Sequence, residues 1–140
     1  MQKLVNGELV DLSQDEINER QADDSLYQEA KVAKHITDYR YQREVAGVSY
    51  LGKTIQTDRE SRANWIGILI NAQANPAYTV AWKTSDGSFA HYDANEAIGA
   101  ALAVSDHVKK CFDAEEKMTG QTFLSQEDVE TAFENHYLGE

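Results

Sequence analysis

Between Gly7 and Gly47 the chain contains no glycine, and its single proline, Pro76, lies well beyond. That unbroken run opens on Ser13-Gln14-Asp15-Glu16, and it constrains the fold more than any other feature. Ser13 and Glu16 have the spacing of a capping box, in which each side chain satisfies a free backbone N–H at a helix start. Leu12 and Ile17 stand where a hydrophobic staple would close. The pattern predicts one helix running to about Val45. Most of it is polar. Leu26, Tyr27, Ala30, Ala33 and Ile36 make a narrow apolar stripe at three- and four-residue spacing, and Asp23-Asp24 interrupts its first half. A helix so thinly apolar cannot be a core element along its whole length. It is expected to project, to pair with another copy or to lie on a partner, so those five residues become candidate partner-binding positions.

The elements around this helix are equally well punctuated. Lys3-Leu4-Val5 and Glu8-Leu9-Val10 flank Asn6-Gly7, the dipeptide best suited to a type I′ hairpin turn. After Gly47, Val48-Ser49-Tyr50 and Lys53-Thr54-Ile55-Gln56 flank Leu51-Gly52 as a second hairpin. Thr57-Asp58-Arg59-Glu60 reads as another cap, opening a helix whose core stripe is expected at Trp65, Ile66, Leu69 and Ile70 and which stops at Asn75-Pro76. A third hairpin joins Tyr78–Thr84 to Ser88–Tyr92 around Asp86-Gly87. Asp93-Ala94-Asn95-Glu96 caps the next helix, with Ala97, Ile98, Ala101, Leu102, Val104, Val108, Cys111 and Phe112 as its apolar side and Gly120 as its stop. Leu124-Ser125 opens a short C-terminal helix, with Leu124 and Val129 as staple. Phe133 and Tyr137 on it are expected to face a neighbour, and they complete the candidate partner-binding set.

Hairpins and helices without long alternating β–α–β units predict an α+β fold. The expected division is an N-terminal hairpin and long helix arm at 1–46, a compact α+β unit of two hairpins and two packed helices at 47–120, and a helical tail at 121–140. On that division, removing 1–46 should leave the central unit folded, and Trp82 should belong to its core.

Charge narrows the function classes. The net charge is −11, distributed as 4 basic and 9 acidic groups in residues 1–38, 6 and 4 in 39–92, and 3 and 11 in 93–140. Excess acid argues against binding nucleic acid, which requires clustered Lys and Arg, and against docking on anionic membranes. Acidic ends around a slightly basic middle could orient copies or partners against one another. Cys111 is the only cysteine, so no internal disulfide forms and a reducing compartment is the simplest expectation. No signal peptide or spanning segment is apparent, so synthesis in a cytoplasm is expected.

The search for chemistry returns little. There is no glycine-rich phosphate loop, G-x-S-x-G, H-E-x-x-H or C-x-x-C. His107 and Cys111, at i and i+4, share a helix face and could ligate zinc or form a thiol–imidazole pair. Val104 and Val108 lie beside them, so a core cysteine with a nearby surface histidine is the simpler reading, and no third ligand is evident. The carboxylates at 15, 16, 58, 60, 93 and 96 are accounted for as helix-cap and first-turn residues. Strand aromatics Tyr50, Tyr78, Trp82, Phe89 and Tyr92 could stack on a sugar, but sheet packing explains them. No enzyme activity, cofactor or metal is expected.

Several ordered segments resemble one family. They are Arg40 to Gly52, Ile55-Gln56-Thr57-Asp58-Arg59-Glu60-Ser61, Tyr78 to Gly87, His107-Val108 and Cys111-Phe112. Their pattern, a T-D-x-x-S helix start, a W-K/R-T-x-D-G hairpin and a helix with a histidine and a late aromatic, is similar to a domain of unknown function found in tail-fibre and tail-associated proteins of tailed bacteriophages and prophages. Val5 to Ser13 also resembles the start of short phage proteins encoded near fibre genes. The resemblance implies a phage-tail context and carries no active site. Together with the residue-level expectations of contact rather than catalysis and of a thinly apolar helix that pairs or docks, it leads to an expected tail, baseplate or fibre component acting through protein–protein contacts, in a homo-oligomer or symmetric assembly and located in the virion tail. The alternatives are a fibre-assembly chaperone absent from the virion, and a glycan-binding module for the host envelope.

Overall fold

Four side chains start the four helices. In a computed structural model, which describes residues 2–140, Ser13, Asp58, Asp93 and Ser125 each accept the backbone N–H of the residue three positions on. The helices are α1 (Gln14–Glu44), α2 (Arg59–Ala74), α3 (Ala94–Met118) and α4 (Gln126–Leu138). Between them lie three separate antiparallel hairpins: β1 (Gln2–Val5) with β2 (Glu8–Asp11), β3 (Val48–Tyr50) with β4 (Lys53–Ile55), and β5 (Thr79–Lys83) with β6 (Phe89–Asp93). The fold is α+β. Asn6-Gly7 and Leu51-Gly52 both have positive φ at their two positions, as type I′ turns require.

The caps differ in detail from expectation. Among the described residues a reciprocal capping box forms only at Asp93 and Glu96. Glu16 instead turns its carboxylate to Lys3 on the first hairpin. Asp58, not Thr57, caps α2, because Thr57 is buried and bridges backbone: its hydroxyl donates to the Glu44 carbonyl at 2.6 Å and accepts the Gly47 N–H at 2.9 Å. Leu124 is 95% exposed, so no staple with Val129 forms.

α3 is the spine of the molecule and carries two cores. Its N-terminal half presents Ala94, Ala97, Ala100, Ala101 and Val104 to Trp65, Ile68 and Ala72 of α2 and to Ile55 and Tyr92 of the hairpins. Small side chains let these elements approach closely. The tightest place is Gly99, where a Cβ would lie 2.3 Å from the Tyr50 hydroxyl, which donates to the Glu96 carbonyl at 2.8 Å. The C-terminal half of α3 carries Cys111, Ala114 and Met118, which pack with Ile36 of α1 and with Val129 and Phe133 of α4.

Two expected stripes were displaced around their helices. On α2 the buried residues are Trp65, Ile68 and Ala72, whereas Ile66 and Ile70 are exposed. On α3, Leu102 and Phe112 are exposed, and the ring of Phe112 is covered by the Arg40 guanidinium at 4.5 Å. On α3 alanines take most of the inward positions, and on α2 Trp65, Ile68 and Ala72 turn inward while Ile66 and Ile70 fall outside.

The boundary expected at 46/47 does not separate two packing units. The C-terminal part of α1 is built into the body. Ile36 lies in the second core, and Glu44 is buried between Arg40 and Arg62. α4 is likewise part of the body, through Val129 and Phe133, and is no free tail. What overhangs is the other end of α1, whose residues 20–31 are all exposed, together with the β1–β2 hairpin.

Candidate functional site

α1 has 31 residues and is therefore about 46 Å long at 1.5 Å per residue, more than the body beneath it can cover. Its C-terminal third is clamped on both sides. Thr37 and Arg40 donate to Glu115 of α3, while the Tyr39 hydroxyl and Arg43 donate to Glu134 of α4. Toward its N-terminus these clamps stop and the helix leaves the body.

There a groove of about 960 Å³ opens between residues 24–37 of α1 and the end of α3 with its linker to α4. The linker exists because α3 ends at Met118 and the chain reverses at Gly120, whose φ is +81°. Gln121 holds the reversal, its amide nitrogen donating to the Lys117 carbonyl. The groove is lined by the apolar side chains of Val32, Ala33, Ile36, Phe123 and Leu124, and it carries Asp24, Glu29 and Glu115 without any Lys or Arg. Val32, Phe123 and Leu124 also border a smaller hollow of about 120 Å³ on the α4 side. Leu124 is almost wholly uncovered, and it adds apolar surface at the mouth of the groove.

The candidate partner-binding residues divide between three places. Ala33 and Ile36 line the groove, Ile36 at its buried end. Leu26, Tyr27 and Ala30 are exposed elsewhere on the helix. A helix turns about 100° per residue, so two successive three-residue steps from Ala30 carry Ile36 roughly 120° around from it. The stripe is therefore not one face. Phe133 and Tyr137 face α1 and α3 within the same chain: Phe133 is fully buried against Tyr39, with ring centroids 5.1 Å apart. Their neighbour is intramolecular. Val32, Phe123 and Leu124 join the groove only in the fold, because Phe123 sits in a linker without periodicity and Leu124 has the sequence position of a staple residue. The one available signal was the pair Phe123-Leu124 itself, apolar among turn residues.

The second constellation is His107 with Cys111, and it lies inside the protein. His107 is 2% exposed, which corrects its expected surface position. It sits where three helices meet. A carbonyl only accepts, so the 2.7 Å contact between Nε2 and the Arg43 carbonyl places the proton on Nε2. Nδ1 then accepts the Tyr137 hydroxyl, also at 2.7 Å. Burial lowers the His107 pKa and keeps the ring neutral. The Cys111 sulfur is 3.8 Å from Nε2, and burial pushes its thiol up to about 11, so it stays protonated and a weak nucleophile. Among the described residues no three His, Cys, Asp or Glu side chains are grouped to hold a metal ion. No helix among them is long and apolar enough to cross a membrane.

The remaining motif residues tie neighbouring elements together. Trp82 packs tilted against Trp65, with ring centroids 4.7 Å apart, and donates to Gln56, and Gln56 donates in turn to the Lys83 carbonyl. Asp86 accepts from the Ser88 backbone and hydroxyl and from the Thr84 hydroxyl, which lowers its pKa and closes a five-residue loop in place of a two-residue turn. The profile of a family described as a domain of unknown function (DUF4376) matches residues 27–135. The chain belongs to the DUF4376 family. No curated protein and no solved structure matches it. The DUF4376 match begins within α1 and ends within α4. It therefore takes in the buried residues of both cores, His107 with Arg43 but not Tyr137, and nearly all of the groove, and it leaves the β1–β2 hairpin outside.

Proposed function

We propose that this DUF4376 protein is a structural component of a bacteriophage tail, an adaptor or decoration at the tail, baseplate or fibre that works by binding other proteins. The phage context rests on the sequence resemblance described above. The contact mode is supported by one observation: an open groove with an apolar lining and an acidic rim, placed where α1 leaves the body. A groove of this form suits an amphipathic segment of a partner protein laid along α1. Substrate chemistry finds less support there, since its titratable groups are Asp24, Glu29 and Glu115, and Glu115 is engaged by Arg40 and Thr37.

Mass spectrometry of purified virions tests the reading. The chain should be present in stoichiometric amount with tail proteins, and Leu124→Glu should reduce its incorporation while the purified variant melts normally. Absence from virions, together with raised yields of soluble fibre on co-expression, would transfer the assignment to an assembly chaperone.

A further inference from the structure

Residues 63–82 contain no Asp, Glu, Lys, Arg or His, by far the longest such stretch in a chain of net charge −11. Most of it is α2, and half of α2 is accounted for: Trp65, Ile68 and Ala72 are buried in the first core. The opposite face is not. Ile66 and Ile70 are 62% and 61% exposed, and Ala63, Gly67, Asn71 and Ala74 around them are exposed as well.

Gly67 supplies a separate argument. Glycine in a helix interior is less favourable than alanine by roughly 1 kcal/mol. Within the chain nothing requires it, because its backbone is ordinary and a Cβ there would meet no atom within 4 Å. Contrast Gly99, which the Tyr50 ring demands. A mid-helix glycine with open space outside it, flanked by two uncovered isoleucines, fits another backbone passing close by.

We infer that this face of α2 is a symmetric contact with a second copy of the same chain, the two α2 helices crossing at Gly67. Charge selects the occupant. Two copies of so acidic a protein repel wherever charged surfaces meet, and an isologous contact sets each residue against the same patch of its twin. An uncharged face is where such pairing brings no like charges together. Arg59 and Glu60 lie about two turns before Gly67 and would fall at the rim. The inference is independent of the tail assignment, and it locates self-association on α2 rather than on α1.

Sedimentation equilibrium of the full-length chain tests it. A dimer is expected, and it should tighten as NaCl is raised, because salt screens the repulsion between the acidic bodies. The double variant Ile66→Glu/Ile70→Glu should be monomeric with an unchanged circular dichroism spectrum. Gly67→Ala separates interface from folding: its melting temperature at concentrations where both proteins are monomeric should hold or rise, while its dimer dissociation constant increases by about tenfold or more. A wild-type chain that stays monomeric at high concentration overturns the proposal, even if another protein binds α2. So does a dimer that loosens with salt or is indifferent to these substitutions.

Discussion

The Tyr137 hydroxyl donates to Nδ1 of His107 across 2.7 Å, and the other ring nitrogen of His107 donates to the Arg43 carbonyl at the same distance. One buried imidazole therefore joins α1, α3 and α4. Tyr137→Phe leaves Nδ1 without a donor in a dry site, a loss of about 1–3 kcal/mol. Urea unfolding would measure it, and the far-ultraviolet circular dichroism should be unchanged before the transition.

The same residue predicts a pH dependence. Burial holds the folded pKa of His107 below its ordinary 6.5. The contribution of the neutral ring is fully present above pH 6.5 and is lost as pH falls from there through the folded value, because only the unfolded chain readily takes up the proton. The groups facing it are Tyr137 of α4, Arg43 of α1, and Cys111 with Asp106 on α3. Urea midpoints should fall between pH 6.5 and pH 5. His107→Gln, which keeps an N–H for the Arg43 carbonyl, should flatten that slope while lowering the plateau.

Glu44 is 1% exposed and holds Arg40 and Arg62 on its two oxygens. Removing one member of a buried ion pair strands the rest, so Glu44→Ala should cost about 3–5 kcal/mol. Combining Glu44→Met with Arg62→Leu should recover much of it, since apolar replacements remove the stranded charge. Chemical denaturation of the single and double variants would show the difference.

Trp82 is half-buried, so Trp82→Ala should cost roughly 2–3 kcal/mol, below the ~3–5 kcal/mol of a fully enclosed aromatic. Trp82→Phe keeps an aromatic contact with Trp65 and loses the bond to Gln56, worth about 0.5–1.5 kcal/mol.

Truncation separates the overhanging segment from the body. Deleting residues 2–13 removes the hairpin and the α1 cap, and the melting temperature should change by only a few degrees. Deleting 1–46 removes Ile36 from the second core, the Arg43 carbonyl from the His107 junction and Glu44 from beside Arg62, and it should abolish cooperative unfolding. This outcome reverses what the sequence division at 46/47 implied.

What the sequence determined by itself is local. Turns at Asn6-Gly7 and Leu51-Gly52, caps at Ser13, Asp93 and Ser125, and the stops at Pro76 and Gly120 depend on the φ range and hydrogen bonding of a few adjacent residues, whereas the α2 cap moved to Asp58 because packing claimed Thr57. The element order and the α+β class follow from them. Tertiary structure decided which faces are covered. Ile66 and Ile70 look like core in a hydropathy pattern, yet α3 presents alanines that admit the Trp65 side of α2 instead. Ile36 and Phe133 look like surface anchors until α1 and α4 close over α3. His107 looks like a surface residue until three helices meet on it. The groove needs two segments some ninety residues apart, and no local pattern records their apposition. The long helix that stood out first is thus clamped into the body at one end and overhangs at the other, and only packing shows where the change occurs.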